Sequence, residues 1–361
     1  MRAVLNPRVR RDDEFRGLFA EEEYRDVHAY YAVHPELPPT PLRRLTSLAR
    51  SLELAALDVK DESQRFGVNA FKILGVRYAV HRLGDAAARR GLVCATAGNH
   101  GRAVARVAKQ KGVPCTVFLP QARTGSPLEQ RTRAARVAAM RHDGADVVEL
   151  PVTYEGAVAH AAAFAAQAGG TVVSDTSWDG YDEIPRWIMA GYTQLFEEAA
   201  SQWDSPPDVV LVQGGVGGLV CAAASWFAWR FGAARPFIIA CEPETAACLL
   251  ESSAAGAPTR ITAPLDTIMA GLRCAEPSPA AWPAIDGGVD AFVTVDDEAV
   301  LGTLDRLRTL DGEERLDPGP SGACGLAALE ALVSGEHLAP VRSAARLGPS
   351  TRAFAVVTEG A

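Results

Sequence analysis

The alternation of short apolar runs with amphipathic helical patterns constrains the fold of this chain more than any other feature. We predict strands at residues 92–95, 115–119, 146–150, 171–174, 209–212, 237–241 and 353–357. Helical periodicity fills intervals such as 102–111, 128–142 and 154–166. Strands that alternate with helices are typical of βα units around parallel sheets. The chain is therefore predicted to be a doubly wound α/β protein.

Composition narrows the compartment and the class of partner. Of the 361 residues 48% are hydrophobic, enough for two core-forming lobes, and the formal net charge of −8 without a basic stripe argues against nucleic-acid binding. Seven cysteines without a C-x-x-C pair or zinc-ligand spacing predict a reducing cytoplasm and no metal site. The charged start of the chain lacks the apolar core of an export signal. The apolar stretch 209–231 is interrupted by glycines, so we predict no membrane partner.

A lysine at the start of a helical pattern is the first candidate for chemistry. Lys72 lies between Phe71 and Ile73, where a desolvated ammonium would lose its proton readily and the neutral amine could attack an aldehyde. The alternative is a surface lysine in the first turn of the helix.

The second candidate segment, Thr96-Ala-Gly-Asn-His-Gly101, follows a predicted strand and precedes a helix. In α/β proteins, sites form at the carboxyl ends of strands, and free N–H groups at a helix start suit a carboxylate. The amide of Asn99 can contact a phenolate oxygen on a cofactor ring. We predict substrate binding at Thr96, Ala97, Gly98 and His100. Alone, the segment is also compatible with a tight βα turn.

A glycine cluster after the strand at 209–212 is the third candidate. Its backbone N–H groups can converge on a phosphate at a helix N-terminus. No Lys-Ser/Thr follows it, and Val216 breaks the dinucleotide spacing G-x-G-x-x-G, so it is neither a Walker A loop nor a dinucleotide fingerprint. The predicted phosphate loop comprises Gly214, Gly215, Val216, Gly217 and Gly218.

The motifs N-A-F-K, A-G-N-H-G and G-G-V-G-G, in this order, resemble those of fold-type II (tryptophan synthase β-like) pyridoxal 5′-phosphate (PLP) enzymes. This resemblance implies two α/β lobes with PLP in the cleft between them. It also implies that Lys72 carries the cofactor as a Schiff base, that Phe71 lies against it and that Asn99 contacts its 3′-oxygen. At the pyridine nitrogen the resemblance implies a hydroxyl, for which Thr358 fits and Ser321 is the alternative.

Within that family the chain is most similar to diaminopropionate ammonia-lyases, over D-T-S-W-D-G-Y (175–181), I-P-R-W-I-M-A-G-Y (184–192) and T-I-M-A-G-L (267–272). These enzymes convert 2,3-diaminopropionate to pyruvate and two ammonias. They usually carry an aspartate where this chain has Ala97, and that aspartate is expected to take the α-proton of a D-amino acid. A methyl group cannot act as a base, so we predict a preference for the L-isomer.

The resemblance makes Asp175 the second catalytic candidate beside Lys72, either gripping a β-ammonium or relaying a proton to the leaving amine. The alternative is that Asp175 caps the following turn. Tyr154 and Trp178 are expected to line the pocket or to pack in the core. Cys248 and Cys274 resemble cysteines of the lyases and could pair, although buried cysteines are usually inert.

Three other functions use the same machinery: a threonine or serine dehydratase, a biosynthetic β-replacement synthase, and a protein that binds PLP without catalysis. We expect residues 1–90 and 192–361 to form a large PLP-binding domain and residues 91–191 a small mobile domain. The resemblance further implies a homodimer acting in amino-acid metabolism.

Overall fold

The computed structural model describes residues 1–96, 98–120 and 127–361. Its strands are β1 (Ala3–Leu5), β2 (Leu42–Arg44), β3 (Ala56–Asp61), β4 (Leu92–Ala95), β5 (Cys115–Leu119), β6 (Asp146–Glu149), β7 (Thr171–Val172), β8 (Val209–Gln213), β9 (Phe237–Pro243), β10 (Ala291–Val295) and β11 (Arg352–Val357). Its α-helices are α1 (Glu21–Ala32), α2 (Thr46–Ser51), α3 (Lys72–Ala88), α4 (Asn99–Lys111), α5 (Pro127–His142), α6 (Tyr154–Ala168), α7 (Glu183–Ala200), α8 (Gly218–Phe231), α9 (Cys248–Ala255), α10 (Trp282–Gly288), α11 (Asp297–Thr309), α12 (Pro320–Ser334) and α13 (Ala339–Ala344).

The chain divides into two compact units. Unit 1 comprises residues 1–65, 69–71 and 192–361, and unit 2 comprises residues 66–68 and 72–191. Residues 72–90 lie in unit 2, where α3 packs along α4. The division into a large PLP-binding domain and a small mobile domain stays a prediction.

Unit 1 is built on a seven-stranded sheet in the order β1-β10-β9-β8-β11-β3-β2. The five inner strands are parallel, and the short edge strands β1 and β2 pair antiparallel with their neighbours. A core of aliphatic side chains from these strands packs against α12, which is apolar on nearly all sides. Unit 2 has a four-stranded parallel sheet in the order β6-β5-β4-β7, with α6 covering Val93 and Phe118. The predicted α/β class with two parallel-sheet regions is confirmed.

Strand β3 shows where apolar patterning is insufficient. Its six residues are all buried although three are charged. The Lys60 ammonium lies 2.9 Å from a Glu198 carboxylate oxygen, and Arg44 donates to Asp58 at 2.9 Å. Because buried charges are tolerated when paired, tertiary contacts allow a strand that the sequence pattern does not predict.

The apolar stretch 209–231 forms β8, the glycine loop and α8. No helix in the described ranges combines the length and the apolar composition that a membrane-spanning segment needs.

Candidate active site

Lys72 and Asp175 form an ion pair in unit 2. Lys72 is the first residue of α3, and its Nζ donates to Asp175 Oδ2 at 2.6 Å. The two side chains are only 21% and 15% exposed, so Lys72 is not a surface lysine. The sequence predicts a desolvated ammonium, and in the structure the Asp175 carboxylate is its partner. The alternative that Asp175 only caps a turn does not account for this contact.

The charge of Asp175 follows from its surroundings. Burial alone would raise the pKa of this carboxyl, but the charges of Lys72 and His100, together with the hydrogen bond from Lys72, outweigh burial and hold the pKa of Asp175 well below its usual range. Asp175 is therefore an anion at neutral pH.

A closed loop after β7 holds Asp175 in place. The Tyr181 hydroxyl donates to Val172 O at 2.8 Å and accepts a hydrogen bond from Ser174 N at 3.0 Å. The Tyr181 ring stacks on Trp178 at 4.1 Å between centroids, and Gly180 between them has φ +78°. In the D-T-S-W-D-G-Y segment, Tyr181 therefore fixes the backbone next to Asp175. The residue types of the segment do not by themselves reveal this role.

His100 approaches the same carboxylate. Its Nε2 lies 2.8 Å from Val173 O, and because a carbonyl only accepts, Nε2 carries a proton. Its Nδ1 lies 3.7 Å from Asp175 Oδ2, and this buried atom has no hydrogen-bond partner in the described part of the chain. We predicted His100 as a substrate-binding residue; the structure places it beside Lys72 and Asp175.

The connection from β4 to α4, and the first turn of α4 that contains His100, are closely packed. Thr96 directly follows β4, and its Oγ1 accepts a hydrogen bond from Gly98 N at 3.1 Å; Asn99, half-buried, begins α4. A Cβ on Gly101 would lie 2.8 Å from both Met140 Sδ and Thr96 Cγ2, so this position requires glycine. Ala97 lies outside the described residues, and its role stays a prediction. Of the other predicted pocket residues in unit 2, Tyr154 begins α6 and is 41% exposed.

The glycine loop lies in unit 1 between β8 and α8. Gly215 and Gly217 have φ of +67° and +93°, a region that L-residues with a Cβ rarely adopt. A Cβ would lie 2.5 Å from Glu242 Cγ if added at Gly214, and 2.4 Å from Ile285 Cδ1 if added at Gly217. The first N–H groups of the 14-residue helix α8 have no intrahelical acceptor. These features fit a cradle for a phosphate group.

Glu242 packs against this loop, and our sequence analysis missed it. It is completely buried near the end of β9, and its two carboxylate oxygens accept hydrogen bonds from Leu249 N and Leu250 N, each at 2.9 Å. Burial raises the pKa of Glu242 to about 8, although these two hydrogen bonds oppose the rise. The sequence does carry a signal for Glu242, because it is the one acidic residue in the otherwise apolar strand β9.

The two hydroxyl candidates in unit 1 have different environments. Thr358 is buried directly after β11, and its carbonyl accepts a hydrogen bond from Phe71 N at 3.2 Å. The Phe71 ring packs on Tyr192, with centroids 4.7 Å apart. Ser321 Oγ accepts a hydrogen bond from Gly271 N at 3.0 Å, so this hydroxyl supports the T-I-M-A-G-L run.

The cysteine pair considered from the sequence is not formed. No disulfide joins any of the cysteines in the described ranges, and Cys248 Sγ donates to Gly215 O at 3.4 Å.

Known proteins resemble this chain over most of its length. Residues 33–344 match the family of pyridoxal-phosphate dependent enzymes. The chain is 35% identical to the diaminopropionate ammonia-lyase of Salmonella typhimurium, with 92% of this chain and 88% of that relative covered. It is 28% identical to a biosynthetic L-threonine dehydratase of Mycobacterium leprae, with 82% and 65% covered. The structure superimposes with a TM-score of 0.88, at 31% identity, on Escherichia coli diaminopropionate ammonia-lyase in complex with an aminoacrylate-PLP azomethine reaction intermediate, covering 99% of this chain and 93% of that one.

Proposed function

Because this chain belongs to the pyridoxal-phosphate dependent enzyme family, we propose that it eliminates ammonia from L-2,3-diaminopropionate to give pyruvate and ammonia. The Lys72–Asp175 ion pair of 2.6 Å carries this proposal. It provides an amine at a helix start and a carboxylate that stays ionised, and both are found in a chain 35% identical to a diaminopropionate ammonia-lyase.

The residues that would hold the cofactor fit its chemical groups. Lys72 supplies the amine, and the glycine loop 214–218 supplies N–H donors for the phosphate. Phe71 and Asn99 are proposed against the ring and its 3′-oxygen, and Thr358 at the ring nitrogen. Bound PLP supplies an electron sink for the pair of electrons left at the α-carbon. Since Thr358 offers a neutral hydroxyl instead of a carboxylate, this sink is tempered, which favours elimination over transamination.

The ionised Asp175 favours a β-amino substrate. A carboxylate holds a β-ammonium through a charge-assisted hydrogen bond and keeps it protonated. A protonated β-amine leaves as neutral ammonia and needs no further acid. The hydroxyl of serine or threonine needs a proton as it leaves, and a carboxylate with a lowered pKa is a poor donor. Gripping the β-ammonium is therefore the better of the two roles considered for Asp175.

Lys72 is proposed as the base that takes the α-proton of the L-isomer at Nζ, once its amine is neutral. His100 Nδ1 beside Asp175 Oδ2 orients the carboxylate through charge when the imidazole is protonated. Thr96, Ala97, Gly98 and the first turn of α4 are proposed to bind the substrate carboxylate, and Tyr154 to line the pocket. With alanine at position 97, the D-isomer lacks a base.

The deciding experiment measures the release of ammonia and of a 2-oxo acid by PLP-loaded protein, the acid being pyruvate from L- and D-2,3-diaminopropionate and L-serine, and 2-oxobutyrate from L-threonine. We expect turnover of the L-isomer and at least roughly 100-fold lower kcat/KM for the D-isomer. Lys72→Ala should abolish turnover, whereas the exposed Lys111→Ala should not. Faster turnover of L-threonine would identify a dehydratase. Formation of a β-substituted amino acid from an added thiol would identify a β-replacement synthase. Bound PLP without turnover of any of the four substrates would identify a non-catalytic binder.

Three further properties belong to this proposal. A cytoplasmic location is supported by the seven cysteines, none of which forms a disulfide in the described residues, as suits a reducing compartment. A homodimer is expected from the fold-type II resemblance, and light scattering at several concentrations tests it. Mobility of the small domain is expected to exclude water on substrate binding, and hydrogen exchange with and without substrate tests it.

A further inference from the structure

The side chain of Glu242 is in close contact with the glycine loop at Gly214. Glu242 Cγ fills the space in which a Cβ of Gly214 would lie, and the Glu242 carboxyl joins this position to the N-terminus of α9 through Leu249 and Leu250. Cys248, which begins α9 directly before Leu249, donates a hydrogen bond to Gly215 O. The segment from Glu242 to α9 therefore supports two successive residues of the loop.

Glu242 has no cation to balance an ionised carboxylate. In the described part of the chain no lysine or arginine forms an ion pair with it. Arg2 lowers the pKa of Glu242 slightly through its charge, but Arg2 is itself paired with Glu251 at the surface. The other titratable groups near Glu242 and the loop are the thiols of Cys241, Cys248, Cys274 and Cys324. With its pKa at about 8, Glu242 is neutral at neutral pH and becomes charged in weak alkali.

We propose that Glu242 is a positioning residue for the glycine loop, and that its proton controls how tightly the loop holds the cofactor phosphate. This inference rests on the proposed function, in which the loop binds the phosphate. A neutral carboxyl supports Gly214 without repelling the dianion, whereas an ionised one adds a like charge inside a poorly screened interior. Phosphate binding and proton binding at Glu242 are therefore coupled, each strengthening the other.

The test isolates the phosphate from the rest of the cofactor. Dissociation constants of pyridoxal and of pyridoxal phosphate are measured by fluorescence titration on Lys72→Ala protein, which cannot form the covalent link. Their ratio is called the phosphate advantage. Because the second phosphate pKa is about 6, the dianion is nearly complete at about pH 7. The titrations of the two free ligands are the same for every protein variant, so a change towards about pH 9 that differs between the parent and Glu242→Gln comes from the protein.

We expect the phosphate advantage to fall about tenfold between about pH 7 and about pH 9, equivalent to about 1.4 kcal/mol. Glu242→Gln should reduce this change to less than about twofold, because an amide of the same size does not ionise. Two control variants should follow the parent: Cys274→Ser, which removes a thiol beside Gly215, and Glu251→Gln, which removes the carboxylate paired with Arg2.

Each outcome separates this inference from the proposed function. A flat profile in the parent, or an unchanged slope in Glu242→Gln, overturns the role of Glu242. A flat profile in Cys274→Ser assigns the effect to that thiol and also overturns it. Gly215→Ala should lower the phosphate advantage at every pH, because its φ of +67° strains alanine. If Gly215→Ala has no effect, the loop is not the phosphate site and the proposed cofactor arrangement fails first.

Discussion

The loop after β7 in unit 2 and the end of β9 in unit 1 each place a carboxyl group away from solvent, with opposite results. Asp175 is 15% exposed and Glu242 is not exposed at all. Asp175 accepts a hydrogen bond from an ammonium, and its pKa is lowered. Glu242 accepts hydrogen bonds from two backbone amides, and its pKa is raised. Burial favours the neutral acid at both sites, so the partner decides the charge.

The difference matches the proposed ligands of the two regions. An anion at Asp175 suits a substrate with a second ammonium group. A neutral acid at Glu242 suits a loop that binds a phosphate. If Glu242 were ionised, its carboxylate would place a negative charge close to the loop that is proposed to bind the phosphate. If Asp175 were neutral, it would lose the charge that pairs with Lys72.

Removing the charge of Asp175 should have the largest effect. In Asp175→Asn we expect kcat/KM for L-diaminopropionate to fall about 1000-fold, because the amide cannot hold a β-ammonium by charge and no longer forms the ion pair with Lys72. Steady-state kinetics test this, with the exposed Asp179→Asn in the same loop as the matched control. A loss of less than about tenfold would show that the ion pair is structural and not part of catalysis.

Loosening the support of Asp175 should have a smaller effect. Tyr181→Phe deletes the hydroxyl that bonds Val172 O and Ser174 N, each deleted bond costing about 1–2 kcal/mol in the buried loop. We expect kcat to fall roughly tenfold. A control is Tyr78→Phe in α3 of the same unit, which deletes a hydroxyl that accepts a hydrogen bond from Arg82 at 3.1 Å, and for which we expect a smaller change in kcat.

A structural role of Tyr181 alone would lower the melting temperature and leave kcat intact. A role in positioning Asp175 also changes the substrate preference, because the grip on the β-ammonium weakens while serine is little affected. The ratio of kcat/KM for L-diaminopropionate to that for L-serine therefore distinguishes the two roles.

Sequence reasoning recovers residue types better than it recovers partners. Strands β4 and β5 match prediction because their residues are apolar, whereas β3 escapes it because its charges are neutralised by distant residues such as Glu198. Lys72 and the glycine loop stand out by residue type and by the element that follows each of them. The proximity of Asp175 to Lys72, 103 residues apart in sequence, depends on the packing of unit 2, and no local pattern encodes it.

Glu242 is the harder case for sequence reasoning. Its chemistry depends on the absence of a nearby cation, and a one-dimensional pattern cannot show such an absence. The sequence resemblance transfers the roles of Lys72, Phe71, Asn99 and Thr358, and those roles stay predictions until ligand binding is measured.

The two carboxyls should also give the stability of the fold pH dependences of opposite sign. Glu242 has a folded pKa of about 8 against 4.5 for an ordinary glutamate, so its contribution is complete below about pH 4.5 and is lost as the pH rises through about 8. Asp175 has a folded pKa below its ordinary 3.8, so its contribution is present above that value and is lost as the pH falls.

Denaturant unfolding of wild type and Glu242→Gln at about pH 5.5 and about pH 7.5 isolates the first of these contributions. The wild type should lose up to about 1.4 kcal/mol of unfolding free energy per pH unit relative to the variant, because folding takes up one proton at Glu242 over this range. Using the difference between the two proteins cancels the histidines, which both contain. Parallel profiles would mean that Glu242 is ionised when folded, and the contrast with Asp175 would then be one of partner but not of charge.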